Sequence, residues 1–209
     1  MVAVSKTQPP ENVRALYTAG QRHFGENYAQ ELVRKVDALA DLEDASFHFI
    51  GHLQKNKIKD VIGRVRSIQT VDSSELALAI DRRLSAPLDI FIEVSIAAEE
   101  QKAGVTPEAL PALAAAIAKA SNLRLVGLMT VPPASEDPED ARPHFRRLRE
   151  AGEGLLAAGL LPHGLALSMG MSHDFEVAIE EGATIVRVGT ALFGPRPAAP
   201  VASTSHEAG

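Results

Sequence analysis

Eight short, mostly β-branched apolar runs alternate along the chain with seven stretches that carry helical signals. That alternation constrains the fold more than any other feature. The runs fall at residues 2–4, 23–24, 47–50, 67–71, 88–95, 123–129, 165–168 and 185–188. Between them, helices are expected over 9–20, 27–39, a basic stretch carrying Lys55, Lys57 and Lys59, 73–84, 106–121, 138–158 and 174–181. Pro10 suits a helix start, Ser73 an N-cap, and Gly20 and Gly182 the residue after a helix end. Strands separated by helices pair in parallel through right-handed crossovers. Eight such units in roughly 200 residues imply an α/β fold, a (β/α)8 TIM barrel built as one domain. The alternative, a doubly wound open sheet, carries fewer strands and a Gly-rich turn after the first. Here the first run ends in Ser5-Lys6-Thr7, with no glycine. The barrel is expected over 1–196, followed by a disordered Pro/Ala/Ser tail over 197–209. The chain begins almost on its first strand, so one helix of the outer ring is expected to be missing.

Composition then removes whole classes of function. There is no cysteine among the 209 residues, which excludes disulfide scaffolds, iron–sulfur clusters, thiolate zinc sites and a cysteine nucleophile. No apolar run approaches the ~20 residues a membrane span needs, and the first residues do not read as a secretory signal. A net charge of −6 argues against binding nucleic acid through a basic surface. A cytoplasmic, monomeric protein that handles small molecules is expected.

In a barrel of this kind, chemistry collects at the carboxyl ends of the strands. Those ends carry Lys6, Gly25-Glu26-Asn27, Gly51-His52, Thr70-Val71-Asp72, Glu93 to Ser95, Met129-Thr130, Ser168 to Ser172 and Arg187 to Thr190. Loops after strands seven and eight often hold phosphate. Here they read Ser168-Met169-Gly170-Met171-Ser172 and Gly189-Thr190, with glycines that let backbone N–H groups approach an anion and hydroxyls that donate to it. The helix starting near Ser172 to Asp174 would add its positive end. Singly, these residues could be ordinary turn and capping residues. Together, in this pair of units, they point to phosphate. Lys6 projects from the rim, where desolvation and neighbouring cations would make its amine nucleophilic and suited to a Schiff base with an aldehyde. A solvated surface lysine is the plainer alternative. Arg187 shares a face with Ile185, and an arginine inside a barrel needs a partner. That partner is either a buried carboxylate, Glu93 or Glu26, or a ring nitrogen or anion of a ligand.

A Schiff-base lysine, a phosphate cradle and an arginine for a ring nitrogen together describe pyridoxal 5′-phosphate. Other signals are weaker. His48 and His52 are four apart, which is poor metal evidence in a strand-plus-turn setting. Phe47 and Phe49 bracket His48, so one set faces the barrel and the other the helices. The lysines from Lys55 to Lys59 read as a solvated helix face or a partner surface.

The segments Ala3-Val4-Ser5-Lys6-Thr7, His23-Phe24-Gly25-Glu26-Asn27-Tyr28, His48-Phe49-Ile50-Gly51-His52-Leu53-Gln54-Lys55-Asn56-Lys57, Gly127-Leu128-Met129-Thr130, Leu167-Ser168-Met169-Gly170-Met171-Ser172 and Val186-Arg187-Val188-Gly189-Thr190 carry a resemblance. The chain resembles the pyridoxal phosphate homeostasis proteins, which share the barrel of the alanine racemase N-terminal domain, over about residues 2–196. The resemblance implies fold-type III binding of pyridoxal phosphate, with Lys6 as the Schiff-base lysine. It implies Ser168, Gly189 and Thr190 around the phosphate, Arg187 near the pyridine nitrogen, Asn27 beside the ring or its lysine, and His52 and Met129 lining the pocket. It also implies a role in buffering or delivering the cofactor within vitamin B6 and amino-acid balance, with apo-enzymes as candidate recipients. Family members carry a helical segment before the lysine strand. Its apparent lack here leads us to expect an exposed apolar groove between strands eight and one.

The residues also bear on catalysis. An arginine beside a ring nitrogen cannot hand it a proton, which leaves the ring a weaker electron sink. Racemisation needs a second base on the opposite face. In the related racemases that base is a tyrosine from a β-rich domain of the partner subunit, for which no counterpart is expected here. Of the two tyrosines, Tyr17 falls mid-helix and Tyr28 at a helix start. A carrier is therefore expected, with a racemase, decarboxylase or lyase acting on amino acids as the alternative.

Overall fold

The computed structural model describes residues 1–96 and 103–194. The expected tail, 197–209, lies outside them. The elements run β1 (Val2–Val4), α1 (Pro10–Thr18), β2 (His23–Glu26), α2 (Ala29–Ala38), β3 (Ser46–Phe49), α3 (Ile58–Val61), β4 (Ser67–Val71) and α4 (Ser74–Asp81). They continue with β5 (Leu88–Glu93), α5 (Leu110–Ile117), β6 (Leu123–Met129), α6 (Arg142–Ala157), β7 (Ala166–Ser168), α7 (Phe175–Glu180), β8 (Arg187–Val188) and α8 (Thr190–Phe193). All paired strands are parallel, in the order β7-β6-β5-β4-β3-β2-β1-β8. A bridge between Ser168 and Ile185, with Met169 N–H donating to the Ile185 carbonyl at 3.0 Å and Arg187 N–H to that of Gly170 at 2.9 Å, brings the two ends together. The result is the expected (β/α)8 barrel, nearly closed.

Several helix limits differ from expectation, and proline explains two of them. The helix expected from residue 106 begins at Leu110. Pro111 would clash with the carbonyl four residues back if it sat deeper in a helix, so it is confined to the first turn. Pro143 does the same for α6, which starts at Arg142 after a short 3₁₀ turn over Pro138–Ala141. The basic stretch is a 3₁₀ turn, Lys55–Lys57, running into the single turn of α3. As expected, Ser73 caps α4, its hydroxyl accepting from Leu76 N–H at 3.3 Å.

The core lies between the outer face of the sheet and the helices. Phe24, Phe49, Leu32, Ile58, Ile68, Ile90 and Phe145 are fully buried there, each contributing on the order of 1.5–3 kcal/mol. Phe47 and Phe49 face this layer, and the rings of Phe24 and Phe47 sit 5.8 Å apart. His48 consequently points into the barrel, where it meets His23 at 2.9 Å and the Ser67 hydroxyl at 2.8 Å. Burial, then His23, drives its pKa down to about 4, so it is neutral. At the β8–β1 junction Ala3 and Val188 are buried and Val186 is half-buried. The outward face there is not the bare groove expected. No helix among the described residues is long and apolar enough to cross a membrane.

Candidate functional site

The two-residue period of β1 puts Val2, Val4 and Lys6 on its inner face. The register of the parallel strands then brings the carboxyl ends of β1, β2, β7 and β8 around one cavity. It has a volume of about 400 Å³ and is lined by Lys6, Asn27, Arg187, Gly189 and Thr190. That volume lies in the ~300–1,000 Å³ range of small-molecule sites. Five of the eight expected site residues therefore meet at one wall. An adjoining cavity of about 330 Å³ holds His52 and Met129 together with Glu93, and it shares Asn27, Ile50 and Val131 with the first.

Ser168 is placed differently from the expectation. It does not line either cavity but is fully buried beneath them. Its hydroxyl donates to Gln69 Oε1 at 2.7 Å and accepts from Arg187 Nη1 at 2.8 Å. The cavity serine is Ser172, whose Oγ accepts from the backbone N–H groups of Gly189 at 3.1 Å and Ala191 at 3.4 Å. That hydroxyl joins the two loops and can turn its own proton toward an anion. Gly170 has φ +90, and its loop is fixed by Met171 N–H donating to Asp174 Oδ1 at 2.6 Å. The helix after this loop, α7, begins only at Phe175.

Arg187 is buried, and it is held by Ser168 and by the Thr130 carbonyl at 2.9 Å. Neither carboxylate considered as its partner is within ion-pair distance of it. Glu26 lies on the other side of the sheet, and Glu93 acts from farther away. Burial lowers the Arg187 pKa to about 10, partly offset by Glu93 and Asp174. It stays charged at neutral pH. Glu93 is pushed up to about 7, first by burial and then by Asp72, with Arg187 opposing.

Lys6 is braced from behind by a network that reading the sequence did not anticipate. Ser5 Oγ donates to Glu26 Oε1 at 2.6 Å, and Lys35 Nζ donates to the same oxygen at 2.6 Å and to the Ser5 carbonyl. All three side chains are buried. Of the tyrosines, Tyr17 bonds Asp44 beneath the Arg22 guanidinium, and Tyr28 is exposed beside a cleft that shares Asn27, Gly51 and His52 with the adjoining cavity. His48 and His52 point to opposite ends of the barrel, and the described residues contain no cluster of three metal-ligating side chains.

Residues 2–197 match the alanine racemase N-terminal domain family. A pyridoxal phosphate homeostasis protein from Aquifex aeolicus is 49% identical over 201 residues, covering 94% of this chain and 86% of that protein. The chain belongs to the pyridoxal phosphate homeostasis protein family. A second member of this family, from Pseudomonas aeruginosa, is 44% identical over 94% of this chain and 84% of its own length. The solved structure of PipY from Synechococcus elongatus with PLP bound superposes with a TM-score of 0.84 at 36% identity, covering 93% of this chain and 92% of PipY. Alanine racemase from Corynebacterium glutamicum shares the fold, with a TM-score of 0.76 at 17% identity over 99% of this chain and 58% of the racemase.

Proposed function

We propose that this chain binds pyridoxal 5′-phosphate as a Schiff base of Lys6 and buffers it or delivers it to apo-enzymes, without robust turnover of its own. The observation that carries the reading is one cavity wall bearing Lys6, Arg187, Ser172, Gly189 and Thr190. The residues fit the group. Asn27 Oδ1 is buried there without a partner among the described residues, an acceptor suited to a ligand hydroxyl. When bound, the cofactor supplies an aldehyde that condenses with amines and an aromatic ring that withdraws electrons.

The chain's own residues bind and orient. Ser172 and Thr190 supply the donors for a phosphate, and Gly189, whose N–H goes to Ser172 Oγ, holds that hydroxyl in place. Arg187 donates to the ring nitrogen and keeps its proton at neutral pH, which holds the ring back as an electron sink. PipY, with PLP bound, and relatives named for pyridoxal phosphate homeostasis support the choice of ligand.

One observation favours the second reading, an enzyme acting on amino acids. Glu93, its carboxyl pushed up to about 7 by burial and Asp72, stands in the adjoining cavity as a proton acceptor. The test is a titration with pyridoxal phosphate followed by visible absorption, for wild type and Lys6→Ala, and then incubation of the loaded protein with single amino acids. A Lys6-dependent band with no product supports the carrier. Steady product formation supports the enzyme. No band overturns both.

A further inference from the structure

Gln69 sits at the centre of the barrel, fully buried, 99 residues away in sequence from the serine it touches. Its Oε1 accepts the Ser168 proton, while its Nε2 is buried with no partner among the described residues. A buried amide left half-satisfied costs stability, and an apolar residue of similar size would not carry that cost. Packing alone does not account for its presence here.

The hydrogen-bond directions supply one. With its proton committed to Gln69, the Ser168 oxygen presents lone pairs to Arg187 Nη1 at 2.8 Å. The Thr130 carbonyl takes Nη2 at 2.9 Å. Two fixed acceptors on two nitrogens set the plane of a guanidinium, and this one lines the cavity with Lys6.

We propose that Gln69 and Ser168 are positioning residues that aim Arg187 at the ring nitrogen of the ligand, and that Ser168 makes no contact with the phosphate. This rests on the cofactor reading above and assigns Ser168 a place that the family resemblance does not. Wild type, Gln69→Leu, Ser168→Ala and the double variant are titrated with pyridoxal phosphate and with 5-deoxypyridoxal, which lacks the phosphate. Visible absorption and Tm are recorded throughout. Each single variant weakens both ligands by the same factor, about tenfold, and shifts the absorption band of the bound form. The double variant is no worse than either single, because one network is removed twice. Gln69→Glu, which keeps an acceptor oxygen, restores the band, and Tm for Gln69→Leu stays within about 3 °C of wild type.

Loss confined to pyridoxal phosphate in Ser168→Ala would make Ser168 a phosphate ligand and overturn the proposal. So would wild-type binding by Gln69→Leu, or a fall in Tm with an unmoved band. A wild-type protein with no band at all would instead overturn the cofactor reading, and the relay's purpose with it.

Discussion

Replacing Lys35 with methionine tests how the barrel holds Lys6 in place. Lys35 and Glu26 form an ion pair at 2.6 Å with side chains only 5% and 0% exposed, and Lys35 also bonds the carbonyl of Ser5, the residue before Lys6. Removing one partner of a buried pair leaves the other charge stranded, at a cost of about 3–5 kcal/mol. For a chain of this size that is roughly 6–20 °C in Tm. The loss depends on pH in a definite direction. Burial already lifts the Glu26 carboxyl above its ordinary 4.5, against the pull of Lys35 and Ser5. Without Lys35 it rises further, so the folded state holds a proton that the unfolded chain gives up. Stability is then retained below about pH 4.5 and lost as pH rises through the folded pKa. Urea denaturation at pH 5 and pH 8 should show the variant far weaker at pH 8, with Glu26→Gln recovering most of the difference. A loss under 1 kcal/mol at pH 8, or one equal at both pH values, would refute the reasoning.

Glu93→Gln should act in the opposite direction, by removing a buried carboxylate rather than stranding one. The carboxyl is raised from 4.5 to about 7, about 2.5 units or at most ~3.4 kcal/mol at 1.36 each; screening by water at the cavity wall lowers that to roughly 1–3 kcal/mol of added stability at pH 8. None is expected at pH 4, and a chemical-denaturation series across pH checks it. Gly51→Ala would place a Cβ 2.1 Å from the Asn27 carbonyl oxygen, which should cost about 2–4 kcal/mol and weaken pyridoxal phosphate binding by moving the cavity wall. Gly154→Ala in α6, with nothing within 4 Å, should instead stabilise by about 0.5–1 kcal/mol in thermal melts.

The strands were legible because each is a short apolar run bounded by helical signals, and a parallel barrel buries both faces. Helix starts were less so: the Thr106-Pro107-Glu108 stretch read as the opening of α5, and only the clash of Pro111 with the carbonyl of Pro107 moves the start to Leu110. Within the site, Lys6, Arg187, Gly189 and Thr190 could be read from strand ends, because strand register carries those ends to one rim, whereas Asn27 came from the family resemblance, since Gly25, Glu26 and Asn27 stand together at the end of β2. Ser168 and Ser172 could not be told apart that way. They sit four residues apart, Ser168 ending β7 and Ser172 in the loop after it, and the difference between a buried bond to Gln69 and a place on the cavity wall depends on a residue 99 positions away. The bracing of Ser5 by Lys35 was equally hidden, since a lysine within a helix reads as solvated until the strand beneath it is placed.

The central claim is that Lys6 carries the ligand. Adding pyridoxal phosphate, reducing with borohydride and mapping the labelled peptide tests it most directly. One modified residue, Lys6, is expected at a stoichiometry near one per chain. Label spread over surface lysines such as Lys55, Lys57 and Lys59, or no label at all, would contradict it.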